Sequence, residues 1–394
     1  MNLNKIFKDN LYKSSIYLIL NSLITAGLGF FFWMIIARLF SSNSIGLATT
    51  IISVVGLISG LSLFGFNVGL MKYLPKNGKK KELVGSCFIL SLIFGLVLSI
   101  VYYFLIGVVS PKLIFIKNYY FTLVFFVLFW ILFTLSNSVL IGLRKSNIVM
   151  FKGLIFSILK LGLPFVLVSF GIYGILGSWY LSALFGVLFS LFFIPFSFKI
   201  DFSLVRKMFR FNFGNYIASV FGMLPSLLLP VLITQLLEPR FTAYFYVSWT
   251  IGSLLFIIPS AVSQSFLTEG SYNENGIKER LKKSFKFSFA LLIIGILFFV
   301  LFGEFLLSLF GKEYMNGYIF LVILCLSSLI YCVNQINISF FNVRNEIWKV
   351  VLVNFLIALF TILGSYYFIN YGLVGIGLSW VIGNLVGLFV GWLK

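Results

Sequence analysis

One lysine stands inside an otherwise apolar stretch of this sequence, and its charge is the feature best suited to chemistry. Lys160 follows Lys152 by eight residues, about 12 Å along a helix, and no other charge occurs before Phe170. A buried ammonium is unfavourable by several kcal/mol unless it faces water or an anion. Two interpretations stay open: Lys160 binds an anion in a cavity, or its flexible stem lifts the charge to the headgroups.

Other reactive residue types are few. The sequence has no histidine, its three cysteines (Cys87, Cys325 and Cys332) are scattered through apolar runs, and Glu304 is the one carboxylate within a predicted span, near its external end. Because the commonest general base and metal ligand is missing, hydrolytic and metal-dependent chemistry are disfavoured. We therefore predict no catalytic residues, no metal and no cofactor, and treat the cysteines as packing residues.

The composition indicates a polytopic membrane protein. The 394 residues are 61% hydrophobic and 10% charged, and the mean hydropathy is +1.10. The formal charge of +19 does not indicate nucleic-acid binding, because Lys and Arg fall mostly in short gaps between apolar runs. Apolar runs long enough to cross a bilayer predict twelve transmembrane helices, at 14–39, 44–71, 83–109, 119–143, 148–169, 173–196, 212–236, 242–266, 287–310, 316–341, 348–370 and 373–393.

The distribution of basic residues predicts the orientation. Most of the 29 Lys and Arg residues lie in alternate gaps, on the side that also receives both chain ends; Lys152 is counted with that side. The positive-inside rule then places both termini in the cytoplasm and the protein, as a multi-pass chain, in the plasma membrane.

An internal repeat divides the spans into two sets of six. The segment from Gly171 to Trp179 recurs 201 positions later, from Gly372 to Trp380, and Asn137 and Arg144 have echoes 200 positions later. We predict an N-terminal six-helix lobe at 1–198, an interfacial elbow helix at 199–211 and a C-terminal six-helix lobe at 212–394. Pro225 and Pro230 make the seventh span a candidate hinge.

Uncharged polar residues in the spans are candidates to line a pathway. The four that we select as polar cavity candidates are Asn21, Asn67, Asn137 and Asn215. Each could contact a hydroxyl-rich substrate, or could instead bridge two helices for about 1 kcal/mol.

Three segments resemble a known family. Ile36–Phe40, Leu63–Leu74 and Gly303–Tyr314 are similar to the first two spans and the ninth-to-tenth turn of Wzx-type oligosaccharide flippases, members of the multidrug/oligosaccharidyl-lipid/polysaccharide (MOP) exporter superfamily. The resemblance covers essentially the whole chain. It implies an all-α fold in which two six-helix bundles face each other in a V, as in MATE and other MOP proteins. It also implies cationic cavity residues that attract the substrate phosphate, for which Lys160, Lys72 and Arg38 are the candidates.

The resemblance implies a flippase that moves a lipid-linked (polyprenyl phosphate or pyrophosphate) oligosaccharide across the membrane by alternating access, without covalent chemistry. Its partners would be this substrate, membrane lipids and glycan polymerases or glycosyltransferases. A cation-coupled multidrug exporter of the same superfamily is the alternative. A membrane glycosyltransferase or polymerase is less favoured, because the external gaps are about ten residues or fewer, and a scaffold in an export complex has no signature in the sequence.

Overall fold

The computed structural model describes residues 10–76, 78–109, 111–272 and 277–392. Long apolar runs fold as helices because only a helix satisfies every backbone polar group within the lipid. The α-helices, in chain order, are α1 (Asn10–Leu39), α2 (Ser42–Ser62), α3 (Phe66–Tyr73), α4 (Lys80–Val109), α5 (Tyr120–Gly142), α6 (Ser146–Leu167), α7 (Ile172–Leu191), α8 (Phe202–Leu236), α9 (Pro239–Gly252), α10 (Ile257–Tyr272), α11 (Ile277–Ser308), α12 (Tyr318–Val343), α13 (Ile347–Tyr367) and α14 (Gly372–Trp392).

The described helices agree with the predicted number of spans. Eleven are long and apolar enough to cross a membrane, and the pair Pro239–Gly252 and Ile257–Leu267, bent by 49°, adds a twelfth if it is one broken span. The all-helical, multi-pass fold class is therefore confirmed.

The second predicted span, 44–71, is not one continuous helix. The chain breaks between α2 and α3, where Phe64 has φ 47° and Gly65 has φ 72°. Phe64 accepts this unfavourable backbone because its ring packs 4.4 Å from Phe94 and 5.8 Å from Tyr216, measured between centroids. Hydropathy does not register such a break, because every residue in it is apolar.

The described residues form two compact units. The first comprises 10–44 and 54–216, and the second comprises 45–53 and 217–392. Phe133, Phe156, Ala183 and Val187 form a core cluster of the first unit. A core cluster of the second unit contains Ala218, Phe341, Val350, Val353 and Ile357.

The repeated Gly-x-x-Gly sequences make the same turn in both units. Short 3₁₀ helices, Val168–Phe170 and Ile369–Tyr371, precede Gly171 and Gly372. These glycines have φ 56° and 59° with extended negative ψ, a conformation open almost exclusively to glycine. The turn places the following helix so close to the preceding one that only a second glycine fits there. A Cβ on Gly174 would lie 2.1 Å from the Leu167 carbonyl oxygen, and one on Gly375 would lie 1.9 Å from that of Phe368.

The structural repeat has one register, an offset of 201. α5 ends at Gly142 and α12 at Val343, and the left-handed residues that follow are Arg144 (φ 59°) and Asn345 (φ 58°). Arg144 therefore corresponds to Asn345 and not to Arg344. The sequence echo at 200 was wrong as a structural alignment, because two coincident residue types lie one position out of register.

The predicted elbow at 199–211 is not a separate helix. α8 begins at Phe202 and continues to Leu236 with Pro225 and Pro230 inside it. Asp201 caps its start: Oδ1 accepts hydrogen bonds from Ser203 N at 3.1 Å and Leu204 N at 3.2 Å, and Oδ2 lies 3.4 Å from Lys79 Nζ. The Ser203 hydroxyl, the Leu204 amide and Lys79 hold the pKa of this carboxyl below its usual range. The elbow's position at the membrane surface stays a prediction.

Candidate functional site

Helix α6 carries two buried charges. Lys152 has no exposed surface and Lys160 is 5% exposed, and they are the only buried charged side chains among the residues that the structure describes. α6 packs against α1 on one side and α7 on another. Both charges therefore lie within the first unit, where an ion is stable only if neighbouring groups replace its water.

Lys160 lies in an aromatic cage, which we define as Phe32 from α1, Phe156 from α6 and Trp179 from α7. Its Nζ is 4.8 Å, 4.9 Å and 4.6 Å from the three ring centroids, respectively. The faces of aromatic rings attract cations, by about 2 kcal/mol or more where water is excluded. The cage thus partly replaces the hydration shell of the ammonium.

Unpaired polar atoms accompany the cage. Asn21 Oδ1, Ser157 Oγ and Trp179 Nε1 are buried and have no hydrogen-bond partner among the described residues. Asn21 lies against Gly153, where a Cβ would come within 1.9 Å of its Oδ1. Gly153, Ser157 and Lys160 follow one another at helical spacing, so they share one face of α6. Around this face lie the Lys160 cation, a donor (Trp179 Nε1), an acceptor (Asn21 Oδ1) and the Ser157 hydroxyl. The last three have unused hydrogen-bonding capacity.

Lys152 is held differently. Its Nζ donates to the Phe133 carbonyl oxygen at 2.7 Å, to Asn137 Oδ1 at 3.0 Å and to the Ser136 hydroxyl. It also lies 3.7 Å from the Phe133 ring centroid. An ammonium has three donors, and all three are used here.

The sequence analysis missed the burial of Lys152 because it counted this residue with the cytoplasmic gap. Lys152 lies inside α6 and is fully buried, while the side of the membrane to which this end of α6 belongs stays a prediction. A signal was present: Ser136 and Asn137, near the end of the preceding span, are polar enough to receive a buried ammonium.

The other predicted site residues do not gather around Lys160. Arg38 is exposed in the last turn of α1, and Lys72 is exposed in the last turn of α3. Asn67 on α3 is partly exposed, and Asn215 on α8 is exposed. Asn137 serves Lys152, which corresponds to the helix-bridging alternative for that residue. Pro225 and Pro230 are buried within α8, and their role as a hinge stays a prediction.

The corresponding positions of the second unit are uncharged. At the offset of 201, Lys152 corresponds to Val353 and Lys160 to Thr361. Phe133 and Ala183 correspond to Asn334 and Asn384, whose side chains are joined because Asn334 Nδ2 donates to Asn384 Oδ1 at 3.2 Å and to its carbonyl oxygen at 2.8 Å. The cationic interior is thus a property of the first unit.

Metal binding finds no support in this region. No group of three or more potential ligands from Cys, Asp and Glu comes together anywhere in the described ranges. The cation and the uncharged polar atoms around Lys160 are suited to ionic and hydrogen-bonding recognition.

Solved structures share the fold. The lipid II flippase MurJ in an inward closed conformation superposes with a TM-score of 0.77, at 16% identity over 95% of this chain and 86% of that chain. An inward-facing MATE family multidrug resistance transporter of the MOP superfamily gives 0.69, at 18% identity over 96% and 93%. A MOP superfamily transporter from Pyrococcus furiosus gives 0.68, at 17% identity over 98% and 94%.

At the level of sequence, no curated protein matches the chain. Residues 11–262, more than half of the chain, match the family described as polysaccharide biosynthesis protein. Because this match covers more than half of the sequence, the chain belongs to the polysaccharide biosynthesis protein family.

Proposed function

We propose that this transporter moves a lipid-linked oligosaccharide, carried on a polyprenyl phosphate or pyrophosphate, across the plasma membrane for the synthesis of cell-surface glycans. The observation that carries the proposal is the aromatic cage, which holds a buried cation with no ion pair to a carboxylate among the described residues. Transport proceeds by alternating access, in which the headgroup reaches one side and then the other while its lipid tail stays in the bilayer.

The cage favours an anionic substrate. Three ring faces compensate only part of what the Lys160 ammonium loses on leaving water. A phosphate oxygen would compensate more, through a charge-assisted hydrogen bond in a region of low dielectric constant. Since Lys160 is buried in the conformation described, the contacts of α6 with α1 and α7 must loosen before the anion enters.

The unpaired atoms beside the cage favour a sugar headgroup. Asn21 Oδ1 can accept from a sugar hydroxyl, Trp179 Nε1 can donate to one, and the Ser157 hydroxyl can do either. A buried polar atom without a partner is unfavourable by about 1–3 kcal/mol. A hydroxyl-rich ligand that satisfies these atoms would recover that energy.

The comparisons support this function at the level of family and fold. The matched family is one of polysaccharide biosynthesis, and one protein of the same fold is described as a lipid II flippase. No bond is made or broken in such a process, so we infer that the protein is not an enzyme. The charge distribution supports cytoplasmic termini, and glycan polymerases or glycosyltransferases would take up the product.

The test is reconstitution into liposomes that carry a fluorescent polyprenyl-pyrophosphate oligosaccharide, with an impermeant quencher reporting on headgroup exposure. We expect Lys160→Gln to lower the translocation rate about tenfold or more, because one charge-assisted hydrogen bond is lost, and Lys160→Arg to retain part of the activity. Thr361→Val, at the corresponding position of the second unit, is the matched control and should leave the rate nearly unchanged.

A second readout separates binding from folding. Lys160→Met removes a buried charge while keeping most of the volume, so its thermal unfolding temperature should equal or exceed that of the original protein. A stable Lys160→Met variant that still translocates at the full rate would refute the role of Lys160. Absence of both binding and translocation by the original protein would refute the flippase.

Cation-coupled export is the alternative, because MATE transporters share the fold. Glu304 is exposed on α11, where a coupling ion would keep much of its water. Sodium- or proton-dependent efflux of a small cation that is abolished by Glu304→Gln would favour this alternative.

A further inference from the structure

A basic pocket lies in the second unit, separate from the aromatic cage. Its volume is about 490 Å³, and it is formed by α10 and α11. The lining residues from α10 are Ala261, Val262, Ser265 and Phe266, and those from α11 are Arg280, Lys283, Ser284 and Phe287. Two of these eight described residues are cationic and none is acidic.

The pocket changes from polar to apolar along its length. On α11, Arg280 and Lys283 lie in the first two turns, and Phe287 lies about 10 Å further along than Arg280. α10 ends where α11 is about to begin, so its Ser265 is nearer the basic end than Ala261 is. The basic end thus offers two cations and hydroxyl groups beside the Phe266 ring, and the other end offers the apolar surface of Ala261, Val262 and Phe287.

This amphipathic lining matches one class of ligand. We propose that the pocket binds the phosphate of an anionic lipid, with Arg280 and Lys283 on the phosphate and the apolar end against the first part of the acyl chain. Arg presents a fork that fits two phosphate oxygens, and the neighbouring Lys adds a second positive charge. Basic pockets between helices on the cytoplasmic side recur as sites for anionic lipid headgroups.

The position of the pocket agrees with a lipid of the inner leaflet. The basic start of α11 belongs to the gaps that the charge pattern predicts to be cytoplasmic. The helix segment that begins at Glu279 is long and apolar enough to cross a membrane, and with this orientation the pocket would lie at the depth where headgroup meets acyl chain. The lipid would act here as a bound component of the second unit, independently of whether the aromatic cage carries the transported substrate.

Native mass spectrometry of the detergent-solubilised full chain, titrated with phosphatidylglycerol, tests the site. We expect the double variant Arg280→Gln/Lys283→Gln to weaken lipid binding about tenfold or more. The control is Lys282→Gln/Lys286→Gln, which removes the same charge from exposed positions of the same helix that do not line the pocket. We expect the control to change the affinity by about threefold at most. Both variants are first checked for an unchanged unfolding temperature.

Three further titrants distinguish the sources of the phosphate. Polyprenyl phosphate that binds more tightly than phosphatidylglycerol, with the same dependence on the Arg280–Lys283 pair, supports the site and assigns it to the carrier lipid. Phosphatidylcholine binding as tightly as phosphatidylglycerol, or inorganic phosphate displacing the lipid at comparable concentration, overturns the proposal. Equal losses in the site and control variants overturn it too, because the attraction would then be diffuse.

Discussion

The two units share the backbone geometry of their glycine turns but differ in the charge of the side chains that they bury. Both turn through a glycine of positive φ, both press a second glycine onto a carbonyl oxygen, and both place a tryptophan on the following helix. Yet the first unit buries Lys152 and Lys160, whereas the second has Val353 and Thr361 at the same positions. Backbone geometry is therefore retained by turn and packing constraints, while the polar chemistry of the interior is free to differ.

The difference extends to how buried polar groups are satisfied. In the second unit, Trp380 Nε1 donates to Ser327 Oγ at 3.1 Å, and Asn334 pairs with Asn384. In the first, Trp179 Nε1 has no partner among the described residues. The two tryptophans thus differ in pairing, and in the first unit the indole N–H without a partner lies beside a buried charge.

The largest expected effect tests the charged interior. Lys152→Ala should lower the free energy of unfolding by about 3–5 kcal/mol, because it leaves a cavity and removes the donor of three hydrogen bonds. Val353→Ala, at the corresponding position, should lower it by only about 2 kcal/mol. Thermal or denaturant unfolding in detergent measures both.

Lys152→Met serves as the volume control. It restores packing without the charge, so it should be less destabilising than Lys152→Ala. If Lys152→Ala were no more destabilising than Val353→Ala, the three hydrogen bonds would make no net contribution to the free energy of unfolding. The buried charge of the first unit would then not distinguish the stability of the two units.

The shared frame predicts equal effects in the two units. Gly174→Ala and Gly375→Ala should each destabilise by about 2–3 kcal/mol, because the new methyl group would overlap the carbonyl oxygen of Leu167 or Phe368. The measurement is the shift in unfolding temperature of each variant. A large effect in one unit and none in the other would contradict the common turn, whatever the sequence similarity.

The smallest expected effect concerns the two tryptophans. Trp380→Phe should be about 1 kcal/mol more destabilising than Trp179→Phe, because only the former breaks a hydrogen bond to a buried hydroxyl. Comparison of the two unfolding temperatures checks this. Equal losses would indicate that ring volume alone determines the effect and that the indole N–H of Trp179 is satisfied in solution.

Much of the fold could be predicted from the sequence. Long apolar runs and the glycine pattern around Gly171 and Gly372 predicted the helical class and the repeat, because lipid leaves the backbone few alternatives. The break at Phe64 could not be predicted, since its stability comes from rings distant in sequence. The offset of 200 between Arg144 and Arg344 is one residue short of the structural register. It came from matching residue types, whereas the helix ends set the register at 201.

Of the candidate site, only the unusual charge of Lys160 could be singled out from the sequence, and its role in binding stays a prediction. Lys160 was found because a charge in an apolar run is conspicuous, but its aromatic neighbours come from three helices and are not recognisable among 50 phenylalanines. The burial of Lys152 was missed because this residue lies near the start of α6 and was counted with the basic residues of the preceding gap. Arg38 and Lys72, selected by resemblance, are exposed, and any role for them in substrate binding stays a prediction.

The contacts of the two lysines become available at different times during synthesis at the ribosome. All three acceptors of Lys152 belong to α5, which is made before α6, so hydrogen bonds can replace the hydration of this ammonium as soon as its own helix inserts. The cage of Lys160 lacks Trp179 until α7 has followed. For that interval α6 contains an incompletely compensated ammonium at membrane depth. Insertion of this segment should therefore depend on the arrival of the next one, so that α6 and α7 enter the bilayer as a pair.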